Sequence, residues 1–379
     1  MAKITEEIRE FSSPSRYYQG AGLVYRLPEF SERFGKKVFA VIDVFFYDDL
    51  SKKLSEAYEK DGAEFKAYCF EGEITQDLIN SVTESVKDYA PDVIVGIGGG
   101  KSMDTAKAVA DNLEVATIIV PTTASTDAPT IAVSVLYNAD GTPDTFKFYK
   151  KNPDIVLADS RIIADAPVRF LVSGMGDALA TYFEGMANKA FDGGNYEGLR
   201  RTALANTIAE YCYEMLLEKG EEALYAARKH VLTEALEDII EANILLSGLG
   251  VENTGIAGAH SLCEGISELP EGCHTLHGEK VGYGVLVQLV VENGPKDLLQ
   301  EVLEFCASVG LPITLSDLQV PNTPENIWKI AEGSMHAHWC DEPLLVTTEK
   351  VAAAIVTVDA MGTDYREKYG IPDALCKGK

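Results

Sequence analysis

The sequence predicts an α/β domain with a Rossmann-like parallel sheet over residues 1–165, followed by an all-helical domain over 166–379. Three observations predict it. Short apolar, β-type runs alternate with amphipathic stretches through the first 165 residues, the pattern of a mostly parallel sheet covered on both faces. That alternation then gives way to long segments with apolar residues at three- and four-residue spacing. Within the first regime, VIVGIGGGKSMDTAK (93–107) ends an apolar run in a glycine bend and opens a helix.

The elements follow in order. KKVFAVIDV (36–44) reads as a strand and DDLSKKLSEAYEKDGA (48–63) as an amphipathic helix; EFKAYCF and TQDLINSVTESVKDYA (75–90) repeat the pair. PDVIVGIGGG is a third strand with its glycine bend, KSMDTAKAVADNL its helix, VATIIVPTT a fourth strand and PDIVLAD (153–159) a later one. TIAVSVLYNADGTPDTFKFY is expected to be a hairpin turning at Asp140-Gly141. Beyond residue 166, SGMGDALATYFEGMANKAF, YEGLRRTALANTIAEYCYEMLLEKG and ALYAARKHVLTEALEDIIEANILLSGLG are too long for strands, and Gly220 and Gly250 are expected at helix ends.

At 379 residues, 46% hydrophobic and 24% charged, the chain has room for two ordinary cores. A net charge of −26 repels nucleic-acid phosphates and anionic lipid, so neither is an expected partner. No apolar run reaches the roughly 20 residues of a membrane span, and MAKITEEIREFSSPSRYYQG has no apolar core of signal-peptide type. Seven cysteines without a CxxC pair argue against a disulfide framework or a cysteine zinc site. The expected location is the cytoplasm.

The glycine bend fits neither common phosphate loop. Walker A would need glycine at Val95, and the GxGxxG fingerprint would need one at Lys101. The physics remains: glycines between a buried strand and a helix start permit positive φ and aim free N–H groups at an anion such as a pyrophosphate. A tight packing turn is the alternative. Asp43, closing its strand, suits the two hydroxyls of an adenosine ribose and repels a 2′-phosphate, favouring NAD; it is equally a helix cap. PTTASTDAPTIAVS (121–134) brings hydroxyls to a strand's C-terminal end, where open parallel sheets bind ligands, or is a solvated loop.

Of six histidines, His260 lies in the small, apolar stretch GIAGAHSLCEGI and His277 opens HGEKVGYGVLVQLVV, with a turn at Pro270-Glu271-Gly272 between. Asp177 is read as an acid at the start of a buried helix, GMGDALATYFE. An aspartate and two neutral imidazoles would make a three-ligand site for a divalent cation with a position left open. Satisfied core histidines are the alternative. His336 and His338 are left as structural.

Together these stretches resemble the glycerol dehydrogenase branch of the iron-containing, group III alcohol dehydrogenase superfamily. The likeness runs in order from SPSRYYQGAG through GIGGGKSMDTAK, PTTASTDAPT, GMGDALATYFE and AGAHSLCEGI to HGEKVGYGVLVQLV. It implies a dehydroquinate synthase-like fold, an N-terminal NAD-binding domain, a C-terminal helical metal-binding domain and an active site in the cleft between them. It implies a divalent metal on Asp177, His260 and His277, usually zinc in this branch, with iron(II) or manganese(II) as alternatives. It assigns Asp43, Gly98, Gly99, Gly100, Lys101, Thr122 and Ser125 to NAD contact, places Val133 and Tyr137 beside the nicotinamide, and matches Asp127 to a substrate-side aspartate. A homo-oligomer, often an octamer, is also implied. The sequence departs where members often carry His-His before HGEKV: here Cys273 precedes His274.

The expected reaction is oxidation of glycerol, or a similar small vicinal diol, to the ketone with hydride transfer to NAD. Asp127 would orient a second hydroxyl, and His274 would pass the proton outward. A hydroxycarboxylate or glycerol-phosphate dehydrogenase, a dehydroquinate synthase-type lyase and a non-catalytic NAD-binding protein are the rival readings. A phosphate or carboxylate substrate would call for basic residues. Lys280, otherwise a helix-surface charge, and Arg200-Arg201 are the candidates.

Overall fold

The computed structural model describes residues 7–139, 141–372 and 374–375. They fold as two compact units, one formed by 12–124 and 128–166, the other by the described residues through Phe11, by Ser125–Asp127 and by the chain from Pro167 onward. Where the sequence reading draws one boundary at 165/166, the helical unit thus takes in two upstream stretches. Local bonds account for this. Arg9 and Glu10 pair with Arg200 and Arg201 as a two-residue ladder inside the otherwise helical unit, and the Ser125 carbonyl accepts the Ser173 hydroxyl at 3.2 Å.

The first unit is the predicted parallel sheet. Its strands are β1 (Tyr17–Gly20), β2 (Lys37–Asp43), β3 (Glu64–Phe70), β4 (Val93–Gly98), β5 (Ala116–Pro121) and, after the hairpin strands β6 (Val133–Tyr137) and β7 (Pro143–Phe148), β8 (Ile155–Asp159). The order across the sheet is β1-β8-β5-β4-β2-β3, all parallel. Every residue of β4 and β8 is buried, which is why both read as near-continuous Val/Ile/Leu runs. β1, an edge strand of four half-buried residues, escaped the sequence reading because YYQG has no apolar run. β6 and β7 pair antiparallel as expected, Val133 opposite Phe148; Asp140 lies outside the described residues.

Helices α1 (Val44–Lys60), α2 (Gln76–Val86) and α3 (Gly100–Leu113) follow β2, β3 and β4. From β2 the chain steps outward to β3, then returns to place β4 on the other side of β2. The carboxyl ends of β2 and β4 therefore flank the point where the strand order reverses, the place where open α/β sheets leave a ligand crevice.

The second unit contains α4 (Val168–Phe191), α5 (Ala203–Ala227), α6 (Glu234–Glu241), α7 (Ser247–Thr254), α8 (Gly258–Ser267) and α9 (His277–Val291), with further helices at Lys296–Val309, Pro324–Ser334 and Thr348–Tyr369. Ala242–Leu246 is a π-helical turn joining α6 to α7. Three expectations are corrected here. Asp177 sits mid-helix in α4, not at its start, because the helix already begins at Val168. Gly220 and Gly250 lie inside α5 and α7: a β-carbon at Gly220 would stand 2.9 Å from Phe305 Cε2, and one at Gly250 would overlap Thr181 Cγ2. Both are packing glycines, which a propensity reading mistakes for stops. The stretch from Ala223 to Gly250 is also broken, His230 taking φ 53° before Thr233 caps α6 through the Leu236 N–H. Among the described residues, no helix is long and apolar enough to cross a membrane.

Candidate metal centre and nucleotide cradle

Glycines set the candidate metal centre. A β-carbon on Gly278 would overlap the Ser173 carbonyl, and one on Gly176 would overlap the Gly278 carbonyl, so α4 and α9 cross backbone to backbone. The next residue along α4 is Asp177, and the one before Gly278 is His277. A β-carbon on Gly284 would lie 2.5 Å from the Ala259 carbonyl, which brings α9 against α8 beside His260. Each ligand candidate is thus adjacent in sequence to a point of closest helix approach.

Asp177, His260 and His277 offer donor atoms all within 4.8 Å of one another. Asp177 Oδ1 lies 3.2 Å from His277 Nε2 and 3.8 Å from His260 Nε2. It is buried, and neither imidazole approaches it in hydrogen-bond geometry. A buried carboxylate oxygen left without a hydrogen bond is costly unless something else satisfies it. Three donors converging on one point, from one carboxylate and two imidazoles, fit a divalent cation. Asp177 Oδ2 accepts the Asp127 backbone N–H at 3.3 Å, and Asp127 Oδ2 accepts the Ser247 hydroxyl at 3.3 Å.

The electrostatics agree. Burial and the neighbouring Asp177 charge raise Asp127 to about 7. Burial also opposes ionisation of Asp177, but the facing His277 and His260 outweigh it and hold the carboxyl below its usual range. Burial works against a charged His260, and Glu184 overrides it, lifting the imidazole to about 9. His277 is pushed well up by Cys263 and Asp177 against the same opposition. A cation entering the site must displace these protons.

The glycine bend is a separate cradle in the first unit. Gly98 ends β4 at φ 149°, where a β-carbon would come within 2.5 Å of Ser102 Oγ and 2.7 Å of Asp43 Cβ. Gly99 and Gly100 face open space, and no side chain caps α3, whose first helical bond is Met103 N–H to Gly99 at 3.2 Å. The uncapped first turn points its amides outward, as a pyrophosphate requires. Asp43 caps α1 through the Phe45 N–H at 3.0 Å and also accepts the Ser102 hydroxyl at 3.3 Å, so the cap reading of that residue is correct as far as it goes. Lys101 Nζ is 2.6 Å from Glu73 Oε1 and 5.2 Å from the Tyr137 ring centroid. The Thr122 N–H donates to the Gly98 carbonyl at 3.1 Å, and the Val133 carbonyl accepts buried Lys107 at 2.6 Å. Ser125 belongs to the other unit.

Residues 14–160 match the model of the iron-containing alcohol dehydrogenases. A glycerol dehydrogenase of Thermotoga maritima is 42% identical over 353 residues, covering 92% of this chain and 96% of its own. A glycolaldehyde reductase of Halobacterium salinarum is 37% identical over 94% of this chain and 99% of its own. The crystal structure of glycerol dehydrogenase from Schizosaccharomyces pombe superposes with a TM-score of 0.92 at 32% identity, over 98% of this chain and 96% of that one. The chain belongs to the glycerol dehydrogenase branch of the iron-containing alcohol dehydrogenase family.

Several residues of this glycerol dehydrogenase-branch chain stand elsewhere than the sequence suggests. His274 ends a 3-10 turn (Pro270–His274) with its ring exposed, and no side chain among the described residues hydrogen-bonds that ring; its carbonyl accepts Arg169 at 3.0 Å. The Cys273 side chain lies outside the described residues. Lys280 is no surface charge: it is buried and donates to Ser267 Oγ at 2.6 Å. Arg201 is buried and spent on Asn188 and Gly193, while Arg200 reaches Glu7 at 3.2 Å. Three residues went unnoticed in the sequence. Glu184 lies two helical turns beyond Asp177 on the same face of α4. Cys263 holds its sulfur 3.5 Å from His277 Nδ1. Ser247, just after the π turn, reaches Asp127. Helical periodicity from Asp177 and His260 could have found the first two; nothing local marks the third.

Proposed function

We propose that the chain oxidises glycerol, or a similarly small vicinal diol, to the hydroxyketone with NAD as hydride acceptor, and that Asp177, His260 and His277 hold the zinc it needs. The observation that carries this reading is the buried Asp177 Oδ1, facing two imidazole Nε2 atoms without a hydrogen bond. Bound there, a divalent cation supplies Lewis acidity that makes a substrate hydroxyl easier to deprotonate, and NAD supplies the ring that takes the hydride.

The chain's own residues do the rest. Asp127 offers a carboxylate to a second hydroxyl of the diol, with Ser247 holding it from behind. The first-turn amides of α3, with Lys101, receive the pyrophosphate, and Asp43 takes the ribose hydroxyls. Cations near the metal centre are engaged elsewhere, Arg169 with buried Glu279 at 2.6 Å and Lys280 with Ser267. That favours a neutral polyol over a carboxylate or phosphate ester, both of which would want a cation to pair with. Glycerol oxidation and glycolaldehyde reduction are the same hydride exchange on a carbinol beside a hydroxyl, so the two relatives point to one substrate class.

NADH formation across small diols and hydroxyacids, before and after chelation, tests the reading. Glycerol or ethylene glycol should give net NADH that vanishes with chelator and returns with zinc. Turnover that survives metal removal, or confined to hydroxyacids, would replace it. At the cradle, Lys101→Met should weaken NAD about 5-fold, roughly 1 kcal/mol for a charge-assisted contact discounted for its exposure, while zinc content stays unchanged. Equilibrium titration of NAD fluorescence quenching reads this directly.

A further inference from the structure

Glu184 is fully buried on α4 and its two oxygens have different tasks. Oε1 accepts the backbone N–H groups of Ala257 at 2.9 Å and His260 at 2.8 Å, while Oε2 lies 2.6 Å from His260 Nδ1. A carboxylate engaged by three N–H groups is acting only as an acceptor. Nδ1 therefore carries its hydrogen, which leaves Nε2, on the Asp177 side of the ring, as the nitrogen that presents its lone pair once a cation displaces the second proton.

The rest of the α8 N-terminus is held in the same manner. Gly258 N–H donates to Glu342 Oε1 at 3.1 Å and Ala259 N–H to Gln288 Oε1 at 2.9 Å, before Ser261 N–H begins the helical ladder at 3.3 Å from the Ala257 carbonyl. The amides a helix leaves orphaned are here taken by side chains of other elements, so the placement of α8 is imposed from outside. Glu184 alone grips both the backbone and the ring of one residue. The contrast with His277 is clear: its Nδ1 faces only the Cys263 sulfur, a weak partner at 3.5 Å.

We propose that Glu184 is a positioning residue for the metal, fixing His260 in the tautomer and orientation that present Nε2 to the cation. The inference rests on the reading of Asp177, His260 and His277 as ligands. Glutamine at this position separates the two tasks. Its carbonyl oxygen still accepts the Ala257 and His260 amides, but its NH2 now opposes Nδ1–H. The ring proton is driven to Nε2, where it blocks the lone pair.

Zinc affinity measured by chelator competition, with thermal melting of the zinc-free protein alongside, tests this. E184Q should bind zinc 10–100-fold more weakly than wild type. The zinc-free melting midpoint reads separately what the buried Glu184–His260 pair contributes to the fold, and E184Q should still melt cooperatively above the assay temperature. Combined with His260→Ala, E184Q should cost less than about 3-fold further, because its effect passes through that ring. Zinc affinity within 3-fold of wild type, or an equal loss in the His260→Ala background, overturns the proposal. Should E184Q fail to fold, the zinc-loaded wild type still decides. The His260 Nδ1 proton should appear far downfield and protected from exchange in a 15N-resolved spectrum, and its absence overturns the idea. Wild-type protein that takes up no zinc overturns the ligand reading itself, a result distinct from normal uptake by both wild type and E184Q.

Discussion

Replacing His277 by alanine should abolish metal-dependent oxidation while NAD still binds. The ring's side chain is 45% exposed and its Nδ1 has only a sulfur for company, so its loss removes little packing. What it removes is one of the two imidazoles facing Asp177 Oδ1, and with it one of three candidate donors. With two protein ligands left, zinc should no longer stay bound through gel filtration, and kcat/KM for glycerol should fall at least 10³-fold, about 4 kcal/mol of transition-state stabilisation. NAD affinity, set in the other unit at the glycine bend, should remain within about 3-fold of wild type, a change of under 1 kcal/mol. Metal analysis, NAD titration and steady-state rates on the same preparation give all three numbers. A variant that holds stoichiometric zinc and turns over normally would remove His277 from the ligand set.

How much of this was legible beforehand follows from the range over which each signal acts. The parallel sheet was readable because β4 and β8 are buried on both faces and so spell themselves out in apolar residues. Edge strand β1 carries no such run, and its pairing with β8 is a long-range fact. The candidate metal triad was legible only as a pattern of types. Spacing alone favours satisfied core histidines, and family resemblance tips the balance toward a metal. Geometry adds what neither could supply: the three donors share one small volume, and an oxygen among them lacks a hydrogen bond. Gly220 and Gly250 were misread because a glycine's φ preference and its small size leave the same letter in a sequence, and only the neighbours Phe305 and Thr181 tell which was needed. Lys280 was misread because burial of an amine requires a partner, Ser267, that lies a helix away. In the sequence, His274 recommends itself by its chemistry and its nearness to His277. In α9's lead-in, that nearness leaves its ring exposed.

Adding one methyl group at Gly278 should be nearly as damaging as removing a ligand. The β-carbon of Gly278→Ala would overlap the Ser173 carbonyl, a backbone atom inside α4 that cannot rotate away. Helix α9 would have to lift from α4, and His277, the preceding residue, would move with it. Overpacking of this kind costs about 3 kcal/mol or more. Melting should fall by roughly 10 °C on the scale of a 200-residue unit, and zinc affinity should drop with it. Calorimetry and chelator competition check both. An alanine variant with wild-type melting and full zinc content would show that the crossing is looser than the backbone positions indicate.

The short Arg9–Glu10 ladder and the Ser125–Asp127 excursion bear on how this chain can be cut or borrowed. The helical unit is assembled from three separate stretches of the polypeptide. A fragment starting at Pro167 would leave behind both the partner of Arg200–Arg201 and Asp127 itself. Grafting the metal-binding half onto a foreign nucleotide module therefore demands spliced insertions, not a single cut at the obvious junction.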